Sequence, residues 1–174
     1  AYARANPGKL SYGTSAAGTS PQLAMELIKL TAKIDVVHVA YKGGPQALSD
    51  VIGGQIPSSA QTAPSALPAI QSERVRALAV TSLKRISQLP SVPTLHETAL
   101  PGFEVNSWYG LCAPAGTPGP ILEKVHADLT AVLRMPETQQ RLRDMVVEAA
   151  PTSREEFAQF IRAEPTRWAR VVDD

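Results

Sequence analysis

Cysteine is almost missing from this chain. Cys112 is its one thiol, so no disulfide can close within it. In the apolar run Leu111-Cys112-Ala113 a lone Cys reads as a small packing residue rather than a nucleophile, since no catalytic partner is evident for it. Long hydrophobic runs are missing too. No stretch approaches the ~18 apolar residues that cross a bilayer. Residues 1–6 carry no apolar signal core, and the first residue is Ala rather than Met; the expectation is a processed or truncated chain whose export signal has gone. Runs of one charge are also lacking. The 17 basic and 16 acidic residues leave +1, and the densest basic stretch, Arg162 to Arg170, is interrupted by Glu164. A nucleic-acid partner is therefore not expected. His38, His96 and His126 lie far apart with no carboxylate at ligand spacing, so neither a metal site nor a cofactor is expected. There is no internal repeat and no low-complexity tract.

What remains is an ordinary globular composition, 44% hydrophobic and 19% charged over 174 residues, enough for one good core or two small lobes. Leu10 to Thr14 predicts a strand, followed by a loop of small residues. Thr19 predicts the cap of the next helix, with Gln22 completing a capping box and Ser20-Pro21 competing for the same end. Leu23, Leu27 and Leu30 give that helix its apolar stripe. Val36 to Ala40 predicts a buried strand, and Pro45 to Ile52 a helix stopped by Gly53-Gly54. Ile56 to Gln61 is a weaker strand, Pro64 to Gln71 a short helix, and Val75 to Thr81 the clearest strand of all. Leu83 to Phe103 is a long proline-rich connection. Val105 to Ala113 predicts a further strand, after which come only helices: Pro120 to Leu133, Pro136 to Val147 and Ser153 to Val172. Ser153 with Glu156 forms a capping box, and Phe157, Phe160 and Ile161 form its apolar face. Strands alternating with helices imply α/β units on a parallel sheet. The division expected is residues 1–104, an α/β ligand-binding lobe, and residues 105–174, a crossover strand with helices that must pack on another surface.

The chemistry points to the loop that opens the first long helix. A helix start presents N–H groups without intrahelical partners and partial positive charge, and small residues let an anion approach the backbone. Ser15, Ala16, Gly18, Thr19 and Ser20 are the candidate residues, the hydroxyls adding donors. A phosphate-loop reading fails because Gly18 is followed by Thr19-Ser20 and not by Lys. The glycines do not make a dinucleotide fingerprint. Gly13-Thr14-Ser15-Ala16-Ala17 nearly matches a nucleophile elbow, so a small serine hydrolase using Ser15, with Asp50 and His96 or His126, is the enzymatic alternative. His38, inside an apolar strand, reads as a packed core histidine. In open α/β sheets ligands bind beyond the carboxyl ends of strands. The turns Tyr41-Lys42 and Gln61-Thr62 also follow strands, so they can share one cleft with the first loop.

Several stretches together resemble one family. They are Asn6-Pro7-Gly8-Lys9-Leu10-Ser11-Tyr12-Gly13, Gly18-Thr19-Ser20, Val37-His38-Val39-Ala40-Tyr41-Lys42-Gly43 and Pro64-Ser65-Ala66-Leu67-Pro68. Val75-Arg76-Ala77-Leu78-Ala79-Val80-Thr81-Ser82, Leu89-Pro90-Ser91-Val92-Pro93-Thr94, Trp108-Tyr109-Gly110-Leu111 and Ala113-Pro114-Ala115-Gly116-Thr117-Pro118 continue it in order along nearly the whole chain. It resembles the Bug (TctC-like) extracytoplasmic solute receptors of tripartite tricarboxylate transport systems. The resemblance implies a periplasmic-binding-protein-like α/β fold of two lobes closing on a cleft. It also implies a periplasmic location, no catalysis, a small carboxylate ligand, and delivery to a membrane permease. By the same resemblance Ser15 to Ser20 matches the ligand loop of the second lobe, Tyr41-Lys42 and Gln61-Thr62 match neighbouring cleft turns, and Trp108 lies near the strand returning to the first lobe. The pattern departs where the family usually has a cleft Asp-Asn pair and this chain has Gln61-Thr62, which implies a changed ligand preference. A member of the family carries a substantial stretch before Asn6. Without it the C-terminal helices are expected to expose an apolar face and to drive a homo-oligomer or domain-swapped dimer, or a dimeric remnant without ligand.

Overall fold

The structure is a computed structural model and describes residues 2–172. It divides into two compact units, residues 1–107 and 108–174. The first is α/β. A short helix α1 (Tyr2–Ala5) precedes β1 (Ser11–Thr14), α2 (Ser20–Ala32), β2 (Val37–Ala40), α3 (Gly44–Ile52), α4 (Ala63–Gln71) and α5 (Leu95–Thr98). β1 and β2 pair in parallel with Tyr12 beside His38 and Thr14 beside Ala40. On its other side β1 meets the extended segment around Ser59, also in parallel, through Gly13 N to Ser58 O at 3.0 Å and Ala60 N to Gly13 O at 2.9 Å. β1 is therefore the middle member of a small parallel sheet.

Helices cover both faces of β1. Tyr12, fully buried, reaches Glu26 of α2 on one face. Gly13 faces α3 on the other, where a Cβ at this position would stand 3.1 Å from that of Ala47 and 2.7 Å from the Ile56 Cδ1. Glycine here is a matter of space: it lets α3 settle onto the strand. Each of α2, α3 and α4 buries one alanine deeply (Ala24, Ala47 and Ala69), so small residues set the close approach of helix to sheet.

Several expectations change. β2 is an edge strand rather than a buried one, with Val37 47% exposed. Val75 to Thr81 forms only an isolated parallel bridge, Val80 with Thr94, and Ile56 to Gln61 only the bridge at Ser59. Val105 to Ala113 forms no strand; Val105 N donates to Thr81 O at 3.0 Å, without a continuing ladder. The proline-rich connection is more ordered than expected. Thr94, fully buried, caps α5 in a complete capping box with Glu97. Arg85 bonds that same carboxylate at 2.9 Å and the Pro90 carbonyl at 3.0 Å.

The second unit contains α6 (Gly119–Arg134), α7 (Pro136–Asp144) and α8 (Arg154–Val172). The expected capping box opens α8: Glu156 N meets Ser153 Oγ at 3.1 Å, and Ser153 N meets Glu156 Oε2 at 2.8 Å. Trp108 stands edge-on to Phe157 and Phe160, with centroids 5.6 and 5.2 Å away, and the Phe157 ring lies where Gly110 leaves no room for a side chain. The Trp108 and Trp168 indoles both donate to Glu164, at 3.4 and 2.9 Å. No helix among the described residues is long and apolar enough to cross a membrane.

Candidate functional site

In a parallel sheet all carboxyl ends lie along one edge. β1 leads into α2, β2 into α3, and the Ser58–Ala60 segment into α4, so three helix N-termini gather there. Each start has the same local form: a cap residue in extended conformation, one residue, then proline. These are Thr19-Ser20-Pro21, Gly43-Gly44-Pro45 and Thr62-Ala63-Pro64. Proline suits the first helical turn because its missing N–H would have no intrahelical partner.

None of these caps closes on its helix. The Thr19 hydroxyl donates instead to Ala16 O at 2.9 Å. Gln22, expected to reach back to Thr19, accepts from Gly18 N at 2.5 Å. At α4 the Ser65 hydroxyl donates to Thr62 O at 2.8 Å, leaving the Thr62 hydroxyl to pair with Ser65 Oγ at 3.0 Å. The amides of Ser20, Gln22, Gly44 and Ala63 consequently meet no acceptor among the described residues. Nor does any acidic side chain occupy the first turn of α2, α3 or α4. The positive ends of these helices are left without a counter-charge.

Gln61 links two of the starts. Its side chain lies over Gly44, with Oε1 2.6 Å from where a Cβ would stand, and its buried Nε2 has no hydrogen-bond partner. That is a further donor at the same edge. Lys42 is exposed and forms no ion pair among the described residues, adding a cation next to the start of α3. Tyr41 is differently employed. Its ring packs beside Gly13 and its hydroxyl donates to Asp50 at 2.7 Å, a bond that raises the phenol above its ordinary pKa. Trp108 belongs to the second unit, within the aromatic cluster above.

Beneath the loop lies a network that sequence reading missed. His38 is half-buried and stacked on Tyr12 at 5.0 Å, with Nε2 2.7 Å from Thr14 Oγ1. Tyr12 donates to Glu26 at 2.5 Å, and Glu26 pairs with Lys29 at 2.7 Å. Burial raises the Tyr12 phenol, and the neighbouring carboxylate raises it further. Burial would also raise Glu26, but hydrogen bonds from Lys29 and Tyr12 outweigh it and hold the carboxyl below its usual range. Burial, assisted by Lys29 and opposed by Glu26, keeps His38 below the ordinary imidazole value. The available signal was the polar sequence Tyr12-x-Thr14 in one strand against His38 in its parallel neighbour.

The hydrolase set does not assemble. Asp50 is held by Tyr41, His96 Nδ1 accepts from Gly102 N at 2.8 Å, and His126 Nε2 lies 2.8 Å from Thr152 O. Ser15 meets neither a base nor an orienting carboxylate among the described residues.

Comparison with known proteins gives one consistent answer. A family model described as "Tripartite tricarboxylate transporter family receptor" matches residues 1–174. The UPF0065 protein of the tcbD–tcbE intergenic region of a Pseudomonas species is 39% identical over 171 residues, covering 98% of this chain and 51% of that protein. Among solved structures, an R. palustris protein determined with adipate superposes with a TM-score of 0.87 at 32% identity, covering 99% of this chain and 57% of that one. MatC from Rhodopseudomonas palustris with bound malate gives 0.81 at 29%, covering 98% and 59%. The chain thus spans about half the length of the curated relatives it matches first.

Proposed function

The chain belongs to the tripartite tricarboxylate transporter receptor family, a family of solute-binding receptors rather than enzymes, and we propose that it contributes a carboxylate-binding lobe to such a receptor in the periplasm. One observation carries the reading. Three helix N-termini at a single sheet edge keep their amides uncapped and lack acidic side chains in their first turns. A carboxylate supplies both the acceptors and the negative charge that these ends need. Ser15, Ala16, Gly18, Thr19 and Ser20 form the principal loop, with Gln61, Thr62 and Lys42 beside it. Tyr41 serves through its backbone and its packing. Adipate and malate, bound by the two similar structures, are the first acids to try. The captured acid would then pass to a membrane permease.

Titration calorimetry with adipate, malate and the neutral diamide of adipic acid tests this. Binding of the acids without the diamide is expected. Binding of neither acid, or equal binding of the diamide, overturns the reading.

A second reading, self-association, is favoured by α6. Ile121, Val125, Leu129 and Val132 follow one another at helical spacing and are all exposed. This stripe is suited to a second copy. Sedimentation should show a dimer that Val125→Glu converts to monomer; a monomer at all concentrations rejects it.

A further inference from the structure

The loop from Thr14 to Ser20 must hide an acceptor if it is to present donors. Ala16 contributes a carbonyl in the middle of the loop, and a carbonyl turned towards the ligand would repel a carboxylate. Two hydroxyls hold it. Thr19 Oγ1 donates to Ala16 O at 2.9 Å and Thr14 Oγ1 at 3.3 Å. The Thr14 hydroxyl has one proton, so with that proton on Ala16 O it can only accept from His38 Nε2, 2.7 Å away. The arrangement that satisfies every partner places the imidazole proton on Nε2. His38 therefore dictates which way Thr14 points, and Thr14 dictates where Ala16 O goes. The Tyr12 ring stacks on the imidazole, and Glu26 and Lys29 anchor Tyr12 from α2, so the chain rests on fixed groups.

We propose that His38 is a positioning residue for the carboxylate loop: acting through Thr14 Oγ1, it keeps the Ala16 carbonyl bonded to the end of β1 and turned away from the bound acid. The proposal rests on the reading of that loop as the carboxylate site. It explains why Thr19 leaves its helix uncapped. Its hydroxyl is the second clamp on the same carbonyl, and the α2 amides are released as a consequence.

The test uses three variants and a control. Thr14→Val keeps the shape and removes the hydroxyl. His38→Phe keeps the stacked ring and removes Nε2. His38→Gln restores a donor. Ser58→Ala removes a comparable bond, to Ser11 O at 2.8 Å, on the far side of β1. Calorimetry with adipate should show about tenfold weaker binding for Thr14→Val and His38→Phe, the usual weight of one lost hydrogen bond. His38→Gln should recover most of the loss, Ser58→Ala should bind as the parent does, and thermal midpoints should not track these changes. A ligand-free arm reads the Ala16 carbonyl-carbon resonance and exchange of the Gly18 amide, which is bonded to Gln22. Both should change in Thr14→Val and His38→Phe and not in Ser58→Ala. An undisturbed Ala16 resonance overturns the positioning role whatever binds. Affinities that follow stability, with no rescue by Gln, overturn it as well. If the parent chain binds no acid, the receptor reading falls, and the ligand-free arm still decides the question about His38.

Discussion

Substituting Gly13 by alanine tests the packing that brings the helix starts together. The φ of Gly13 is not in the left-handed region, so alanine is conformationally acceptable, and restricting the unfolded chain should favour it by about 0.4–1 kcal/mol. Space opposes it. The new methyl would stand 2.7 Å from Ile56 Cδ1, 3.0 Å from the Tyr41 ring and 3.1 Å from the Ala47 Cβ. Ile56 can swing its terminal methyl aside. Ala47 cannot, because its Cβ moves only with α3. Overpacking of this kind costs about 1–3 kcal/mol, so sterics win by about 1–2 kcal/mol. For a chain of this size that lowers the thermal midpoint by about 3–6 °C. Ile56→Val alone should cost about 0.5–1.5 kcal/mol; added to Gly13→Ala it removes the nearest clash, so the pair should cost less than the sum. Calorimetry of the four proteins measures this. Adipate affinity should fall with Gly13→Ala as α3 shifts and carries the Gly44 amide with it. A midpoint for Gly13→Ala within ~1 °C of the parent, or strictly additive losses, would refute the packing argument.

Acid should destabilise the chain in two stages. His38 is held below the ordinary imidazole value, so as pH falls below about 6.5 the unfolded chain takes up the proton first and stability declines down to the folded value. Glu26, Glu97 and Glu156 are held below the usual carboxyl range, Glu97 and Glu156 chiefly by backbone N–H bonds; their contribution is present above about pH 4.3 and is lost as pH falls through their folded values. Urea midpoints between pH 8 and 3 should show both limbs, and His38→Gln should flatten the upper one. Thr94→Val should cost about 1–2 kcal/mol by removing the α5 cap, with faster amide exchange confined to residues 92–99. In the second unit Phe157→Ala should remove the ring wedged between Trp108 and Gly110; we expect a loss of about 2 kcal/mol or more and a red-shifted tryptophan emission, and an unchanged spectrum would reject the cluster.

Local signals in the sequence fix elements and leave their pairings open, for a physical reason. Caps, prolines and apolar spacing act within a few residues, so the boundaries of α2, α3, α4 and α6 and the Ser153–Glu156 box follow closely from sequence. Alternation in Val75 to Thr81 specifies an extended backbone and says nothing about whether a strand lies within bonding distance; here Val80 bridges to Thr94 and Thr81 O accepts from Val105 N at 3.0 Å, and no regular ladder forms. The Thr94-x-x-Glu97 signature was present but was masked by the surrounding prolines. At the site the loop and its turns were legible. The commitments of their side chains were not, because they depend on residues distant in sequence: Gln61 over Gly44, Tyr41 to Asp50, and His38 beneath Thr14.

Those commitments set this edge apart from the chain's other helix starts. At the starts of α5 and α8, where Thr94 and Ser153 are the caps, the chain closes a full box and places a glutamate on the cap amide. At Thr19 and Thr62 it has equally good capping residues and spends them on Ala16 O and on Ser65. An unused cap forgoes about 1 kcal/mol, so two of them leave about 2 kcal/mol of stability unrealised at one edge. A carboxylate seated on the Ser20, Gln22 and Ala63 amides recovers this. The recovery should appear as a rise in thermal midpoint with adipate, growing with the logarithm of ligand concentration above Kd and reaching about 2.7 kcal/mol at a hundredfold excess over Kd. Introducing the missing counter-charge should cancel it. Gln22→Glu places a carboxylate in the first turn of α2, where it stabilises the free chain by about 0.3–1 kcal/mol and repels the acid. A variant that is more stable alone and no longer stabilised by adipate is the expected result. A Gln22→Glu chain that still gains stability from adipate as the parent does would show that the α2 amides are not where the acid sits.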